Sequence, residues 1–460
     1  MGPTATIPAG AGPVARRVLA GRAAFRRPRC RLGGRAWRSA GWLTWFIILL
    51  LADGELSALA GDAVPAVSPP GKLTYLDTSF ENASPAWHDV ADDGTIRIHL
   101  LYDRERASPN RAAGHIHMRL EAEPGAPLRL EFVNLDNVWN GEPGSIAREL
   151  RSLVVSEDGR HWRSVATESV PTNRVQLRLS MPGPSLYLAR VEPYRLSDLE
   201  RSLTRWRRDS RVAIEVIGQT VLGRDLEIVR VGKPAAPHRV FLRARAHPWE
   251  AGGNWVVEGL VDRLLARDEA AARFRRHYCV YVLPMANKDG VARGGTRFNA
   301  RGSDLNRHWD RPADPAVAPE NAALERWLAK MIASGQRPEL AIELHNDGGG
   351  QLHLSRPAVP GVEVHLARMA RFEQLLRRHT WFTEGSTAPT FRNPGSLGDG
   401  WLERFGIDAV IHEFNCNWIA GLGDYPSAAH WREYGARLAT VLDEYFNTVP
   451  ADRVGTGATR

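Results

Sequence analysis

Cysteine is scarce in this chain: three residues in 460, with no zinc-finger spacing among them. Cys30 lies in the N-terminal leader, while Cys279 and Cys416 fall in apolar, strand-like segments. A free thiol there behaves as a small hydrophobe, so both are expected as buried thiols rather than a bridge. No internal repeat and no low-complexity tract interrupts the text. Past residue 60 no apolar run is long enough to cross a bilayer, which takes about 20 residues. A basic face is missing as well. The net charge is +8, but nine arginines stand in residues 1–60 against only Asp53 and Glu55, so the remainder is close to neutral. That distribution does not supply the basic footprint of a nucleic-acid-binding domain.

The arginines precede the apolar run Gly41-Trp-Leu-Thr-Trp-Phe-Ile-Ile-Leu-Leu-Leu-Ala52, and Ala58-Leu-Ala60 follows. Basic region, short apolar region and small-x-small site together predict a secretory signal peptide over residues 1–60. The expectation is a secreted or periplasmic protein with no stable membrane span after cleavage; the alternative is an uncleaved membrane anchor.

With 43% hydrophobic content, 460 residues suffice for two ordinary cores. Residues 61–72 read as a proline-bearing lead-in. From 73 to 195 short alternating runs recur, among them 95–100, 115–120, 128–133, 175–179 and 186–190. Strands at that spacing with no helix between them predict an all-β sandwich, giving a first domain over 61–200. The segment 196–206 reads as a linking helix capped by Ser197 or Asp198.

From 211 onward strands alternate with helices. Strands are predicted at 239–246, 278–285, 339–345 and 407–414. Helical spacing marks Val257, Leu260, Val261, Leu264 and, after Pro319, Leu324, Trp327, Leu328 and Met331. A last helix is expected over 427–447. The second domain, 205–450, is therefore α/β with a mixed, mostly parallel central sheet flanked by helices.

His247-Pro-Trp-Glu250 directly follows the apolar run Arg239–Ala246. A His and a Glu at the carboxyl end of a buried strand sit where α/β proteins place their chemistry. They offer one imidazole nitrogen and one carboxylate to a zinc ion, and His345, ending Glu339-Leu-Ala-Ile-Glu-Leu-His345, is the candidate third ligand. Three protein ligands leave a position open for water, the arrangement of a catalytic Zn2+ site. Asp304, in Asp304-Leu-Asn-Arg307, is placed to accept from the far nitrogen of a ligating His. Asn306 and Arg307 are candidates to hold a carboxylate. Arg297, in Gly294-Gly-Thr-Arg-Phe-Asn299, is a second cation nearby. Glu413 is an acid in the apolar strand-like run 407–415, and a buried acid with no structural task marks a functional site. Alternation puts Glu343 on the face of His345 and His412 opposite Glu413. His115 and His117 share one strand face and read as solvated surface rather than metal ligands. His308 and Trp309 read as packing for their loop.

These pieces together resemble the M14 zinc carboxypeptidases. Ile217-Gly-Gln-Thr-Val-Leu-Gly-Arg224, His247-x-x-Glu250, Asn287-Lys-Asp-Gly290, Asp304-Leu-Asn-Arg307, Leu344-His345 and Glu413 come in the family's order. The preceding β domain, and the spacing from Arg297 to Asp304, are similar to the cytosolic-carboxypeptidase branch. The resemblance implies zinc held by His247, Glu250 and His345, and Glu413 as general base. It also implies Arg297 polarising the scissile carbonyl, and Asn306 with Arg307 binding the terminal carboxylate of a peptide substrate. One departure is a missing tyrosine: Ala388-Pro-Thr-Phe-Arg-Asn-Pro-Gly-Ser396 offers Phe391 or Arg392, and Tyr425 is a third substitute. Leu397 and Gly398 fall where the family's specificity pocket lies, and neither is charged. The competing readings are a zinc amidohydrolase, acting as an N-acyl amino acid deacylase or a cell-wall peptide amidase, and an inactive binding module.

Overall fold

The structure is a computed structural model that describes residues 72–103, 110–139 and 141–448. The expected signal peptide lies outside the described residues. No described helix is long and apolar enough to cross a membrane.

The first part of the described chain forms two five-stranded sheets that face each other across an apolar core. The predicted runs appear as Ile96–Leu100, His117–Ala122, Pro127–Val133, Arg174–Ser180 and Ser185–Ala189. Alternation drives this layer. In Ile96–Leu100 the residues Ile96, Ile98 and Leu100 are buried and those between are half-exposed. The helix Leu196–Arg207 follows, and its capping differs from expectation. Arg195 occupies the cap position, and Asp198, inside the first turn, reaches back to accept the Arg195 N–H at 2.7 Å.

The second part is built on a seven-stranded sheet. Its four central strands, Tyr278–Leu283, His238–Ala244, Leu340–Asp347 and Asp408–Asn415, run parallel to one another in that spatial order. Both flanks are antiparallel, with Val212–Gln219 and Asp225–Val231 on one side and Leu352–Leu354 on the other. The sheet is mixed, as expected, with its parallel pairings gathered at the centre. Val240, Phe241, Leu242, Ala341, Ile342, Val410 and their neighbours are almost fully buried, as strands covered on both faces must be.

Helices Gly252–Leu264 and Ala428–Thr448 cross on one face of the sheet, and two glycines set their spacing. A Cβ on Gly259 would stand 1.9 Å from the Arg432 carbonyl, and one on Gly435 would stand 1.9 Å from the Val256 carbonyl. Backbone meets backbone there, so the crossing excludes any side chain. Cys279 and Cys416 are buried free thiols, in line with the sequence reading.

Candidate metal centre and active site

The sheet delivers its polar residues to one edge. The strand His238–Ala244 is followed by Arg245, a non-glycine residue with φ of 61°. That left-handed turn is held by Arg245 itself, whose Nε donates to the Pro248 carbonyl at 2.7 Å and whose guanidinium also donates to Asn254 Oδ1 at 3.0 Å. The chain is thereby swung round so that His247 and Glu250 face the end of the neighbouring strand. In the parallel pairing His345 stands directly opposite Glu413. Glu343, His345 and Asp347 share a face by alternation.

Three donors converge. His345 Nδ1 lies 2.6 Å from Glu250 Oε2 and 3.1 Å from His247 Nδ1, and His247 Nδ1 lies 2.8 Å from Glu250 Oε1. All three residues are buried. The far nitrogens face fixed acceptors: His247 Nε2 is 3.1 Å from Asp304 Oδ1, and His345 Nε2 is 3.1 Å from Glu343 Oε1. With the ring protons on those far nitrogens, two lone pairs and a carboxylate point at one another. That cluster is repulsive unless a cation lies among its members, so the donor set fits a divalent metal ion.

The electrostatics agree. Burial raises the Glu250 carboxyl, but His247 and His345 outweigh it and hold the group well below the usual range. Burial lowers the His345 imidazole, but Glu250 and Glu343 on either side hold it well above its ordinary value. The same field stabilises any positive charge placed there. Asp304, raised by burial but lowered more by Arg297 and His247, stays ionised.

Arg297 donates from Nε to Asp304 Oδ2 at 2.7 Å, with its guanidinium over the Trp139 ring. Arg307 is nine-tenths buried and donates to the Asn306 carbonyl at 2.7 Å. Asn306 differs from the expectation of a substrate-facing amide. Its Oδ1 accepts the Leu397 N–H at 2.9 Å, and its Nδ2 stands 3.3 Å from His345 Nε2. Both ends of the amide are therefore turned into the protein.

Glu413 is different in kind. Its Oε2 is buried without a hydrogen bond, and Oε1 has His353 Nδ1 3.9 Å away. Burial, then the nearby Asp347 carboxylate, holds this carboxyl well above the usual range. On the opposite strand face, His412 reaches the Tyr434 hydroxyl at 2.7 Å, away from Glu413. Phe391 packs at a tilt of 48° against His353 with ring centroids 4.7 Å apart, so the ring beside Glu413's neighbour is a phenyl without a hydroxyl. Arg392 is exposed and folded back on the Pro389 and Phe391 carbonyls, and Tyr425 packs against Trp418. Trp309 is buried and donates to the Leu305 carbonyl, a packing role for its loop.

Several contributors escaped the sequence reading, and most come from the sandwich. Asp103 accepts backbone N–H groups from Thr296, Arg297 and Phe298, which clamps the loop that carries Arg297. Asn110 Nδ2 donates to Asp304 Oδ2 at 3.0 Å. Trp249 belongs to the sandwich's apolar core, and its indole donates to Glu250 Oε1 at 3.0 Å. The Arg190 guanidinium lies 3.8 Å over the Trp249 ring. Apart from the Trp249–Glu250 bond between neighbours, these contacts join residues more than 50 positions apart, so local pattern carries no trace of them. Asp347 did carry a signal, being two residues beyond His345 on the same strand face.

One expectation is overturned. His115 and His117 are 7% and 3% exposed, not solvated. Both rings turn to the Asn82 carbonyl, at 2.7 and 3.2 Å. Burial depresses their imidazoles to about 4 and about 3. Alternation identified their shared face correctly but gave no means of knowing that another segment covers it.

Residues 202–348 match the family profile described as zinc carboxypeptidase. An uncharacterized protein from Zymomonas mobilis is 30% identical over 159 residues, 34% of this chain and 41% of that protein. Human cytosolic carboxypeptidase 1 is 40% identical over 106 residues, 23% of this chain and 9% of that protein. The matched stretches thus span less than half the length of these curated relatives. Among solved structures, a metallo-carboxypeptidase from Burkholderia cenocepacia superposes with a TM-score of 0.68 at 21% identity, covering 81% of this chain and 99% of that one. One from Pseudomonas aeruginosa gives 0.66 at 22% identity, over 81% and 100%. At that identity the likeness concerns the fold, and it takes in most of the chain. The zinc carboxypeptidase profile thus matches the stretch that carries His247, Glu250, Arg297, Asp304, Arg307 and His345.

Proposed function

We propose that this protein is a zinc-dependent metallocarboxypeptidase that removes C-terminal residues from peptides. The observation that carries the reading is the meeting of His247 Nδ1, His345 Nδ1 and the Glu250 carboxylate, with both far ring nitrogens against carboxylates. These three hold the ion, and Asp304 and Glu343 orient the imidazoles. A zinc ion held by these residues would supply Lewis acidity, for polarising a carbonyl and acidifying water. Glu413 takes the proton from the attacking water and passes it to the departing amine. Its raised pKa suits a group that must both accept and release. Arg297 stabilises the oxyanion, and Arg307 clasps the substrate's terminal carboxylate. Asn306 sets the loop from which Arg307 projects. Export of the chain, with cleavage after Ala60, belongs to the same reading and rests on the leader pattern alone.

The test is zinc content by mass spectrometry alongside hydrolysis of an N-blocked dipeptide, before and after chelation. One zinc per chain and chelator-sensitive release of the terminal residue are expected. A protein that binds zinc yet cleaves only N-acyl amino acids is an amidohydrolase, and one that cleaves neither is a binding module. N-terminal sequencing of the exported product checks the cleavage site.

A further inference from the structure

Two buried arginines meet where the sandwich packs on the α/β part. Arg190 follows the sandwich strand Ser185–Ala189 and is 3% exposed, and Arg245 follows His238–Ala244 and is 1% exposed. Both line one cavity, together with Asn82, His115, His117 and Trp249, all of them buried. The cavity is about 10 Å3, close to the least that admits a single water-sized particle.

Negative charge is scarce around both guanidiniums. Nε, Nη1 and Nη2 of Arg190 are all buried and make no hydrogen bond. The face of the group lies 3.8 Å over the Trp249 ring, and its one ion pair is with Glu149 Oε2 at 3.6 Å. That oxygen already accepts the Gly348 N–H at 3.2 Å. Arg245 donates to two neutral acceptors, the Pro248 carbonyl and Asn254 Oδ1. Among the described residues it forms no ion pair. Burial pulls its guanidinium down to about 9. His115 and His117 supply no counter-charge, since burial keeps both imidazoles neutral.

A charge taken out of water is costly unless an opposite charge and hydrogen bonds meet it. Two guanidiniums on one small cavity, three of their nitrogens without an acceptor, are a donor set for an anion. Size then narrows the class, because phosphate, sulfate and carboxylates are too bulky. A chloride only slightly exceeds a water in radius, and the Arg190 head, held by no hydrogen bond, can draw back by that difference. We propose that Arg190 and Arg245 bind a chloride-sized monoatomic anion in this cavity, and that the ion ties the sandwich to the α/β part. The site does not depend on the carboxypeptidase reading.

The experiment is thermal unfolding of the full chain at constant ionic strength while gluconate is replaced stepwise by chloride. Crystals grown in bromide are measured in parallel for anomalous scattering. Tm is expected to climb with the logarithm of chloride concentration, as a ligand held by the folded state alone requires. That dependence should be lost in Arg190→Gln, which removes one charge and keeps a polar side chain. An anomalous bromide peak is expected between Arg190 and Arg245. An equal climb in the variant marks a general salt effect and overturns the site, and so does a cavity that holds water with no anomalous signal. Should Arg190→Gln fail to fold, the wild-type bromide map decides alone.

Discussion

Two walls built on opposite logic meet at the same sheet end. On one, His247, Glu250 and His345 have each polar atom matched to a partner, and those partners are themselves held: Asp304 by Arg297 and Asn110, Glu343 by Arg243. On the other, Glu413 and His353 keep buried atoms without hydrogen bonds. On the proposed function, the difference accounts for what each wall does. A metal ligand loses affinity when it wanders, so rigid outer partners are an advantage there. A proton acceptor tied to fixed donors would be too weak a base, so a carboxylate left unmatched in a buried place retains the affinity it needs.

The contrast can be broken from either side. His345→Gln should have the largest effect, with zinc lost and turnover at background, read by metal analysis and dipeptide hydrolysis. Zinc still bound at one per chain would mean the first wall is not the metal site. Glu413→Gln should lower kcat by about 10² to 10⁴ with zinc content unchanged; near wild-type kcat would remove Glu413 from the base role. Asp304→Ala should weaken zinc about 10- to 100-fold while leaving the site competent at saturating metal. Equal zinc affinity in that variant and the wild type would show the outer carboxylate to be idle.

The smallest effect concerns the sandwich seam behind the first wall. His115 titrates at about 4 in the folded chain and near 6.5 when unfolded. As pH falls below 6.5 the unfolded chain binds a proton that the folded one refuses, so stability declines with falling pH. The loss at pH 5 is about 2 kcal/mol from this group, and above 6.5 it vanishes. Urea midpoints at pH 7.5 and 5 should therefore lie closer together in His115→Gln than in the wild type, and equal separations would refute the assignment.

Legibility in the sequence followed range. Continuous apolar runs announced the four central strands, because strands buried on both faces cannot alternate. The flanking strand Leu352–Leu354 is only three residues long and gave no periodicity to read. Residue types at strand ends, in the loops between elements and within one apolar strand singled out His247, Glu250, His345, Asp304 and Glu413 as candidates before any geometry was known. Asn306 was assigned a substrate contact from its neighbourhood to Arg307, yet its amide faces Leu397 and His345. Spacing reports which residues travel together along the chain, not which way each side chain turns.

The β-rich first part, the four central strands and the candidate metal-ligating side chains were legible in the sequence by itself, because periodicity and ligand chemistry are local. The insertion of Trp249 into the sandwich core, the clamp of Asp103 on the Arg297 loop and the gathering of Asp347 and His353 around Glu413 were decided by the tertiary structure alone. Each depends on which strands lie side by side and in what register, and that is settled by packing across the whole molecule rather than by any segment's own preference.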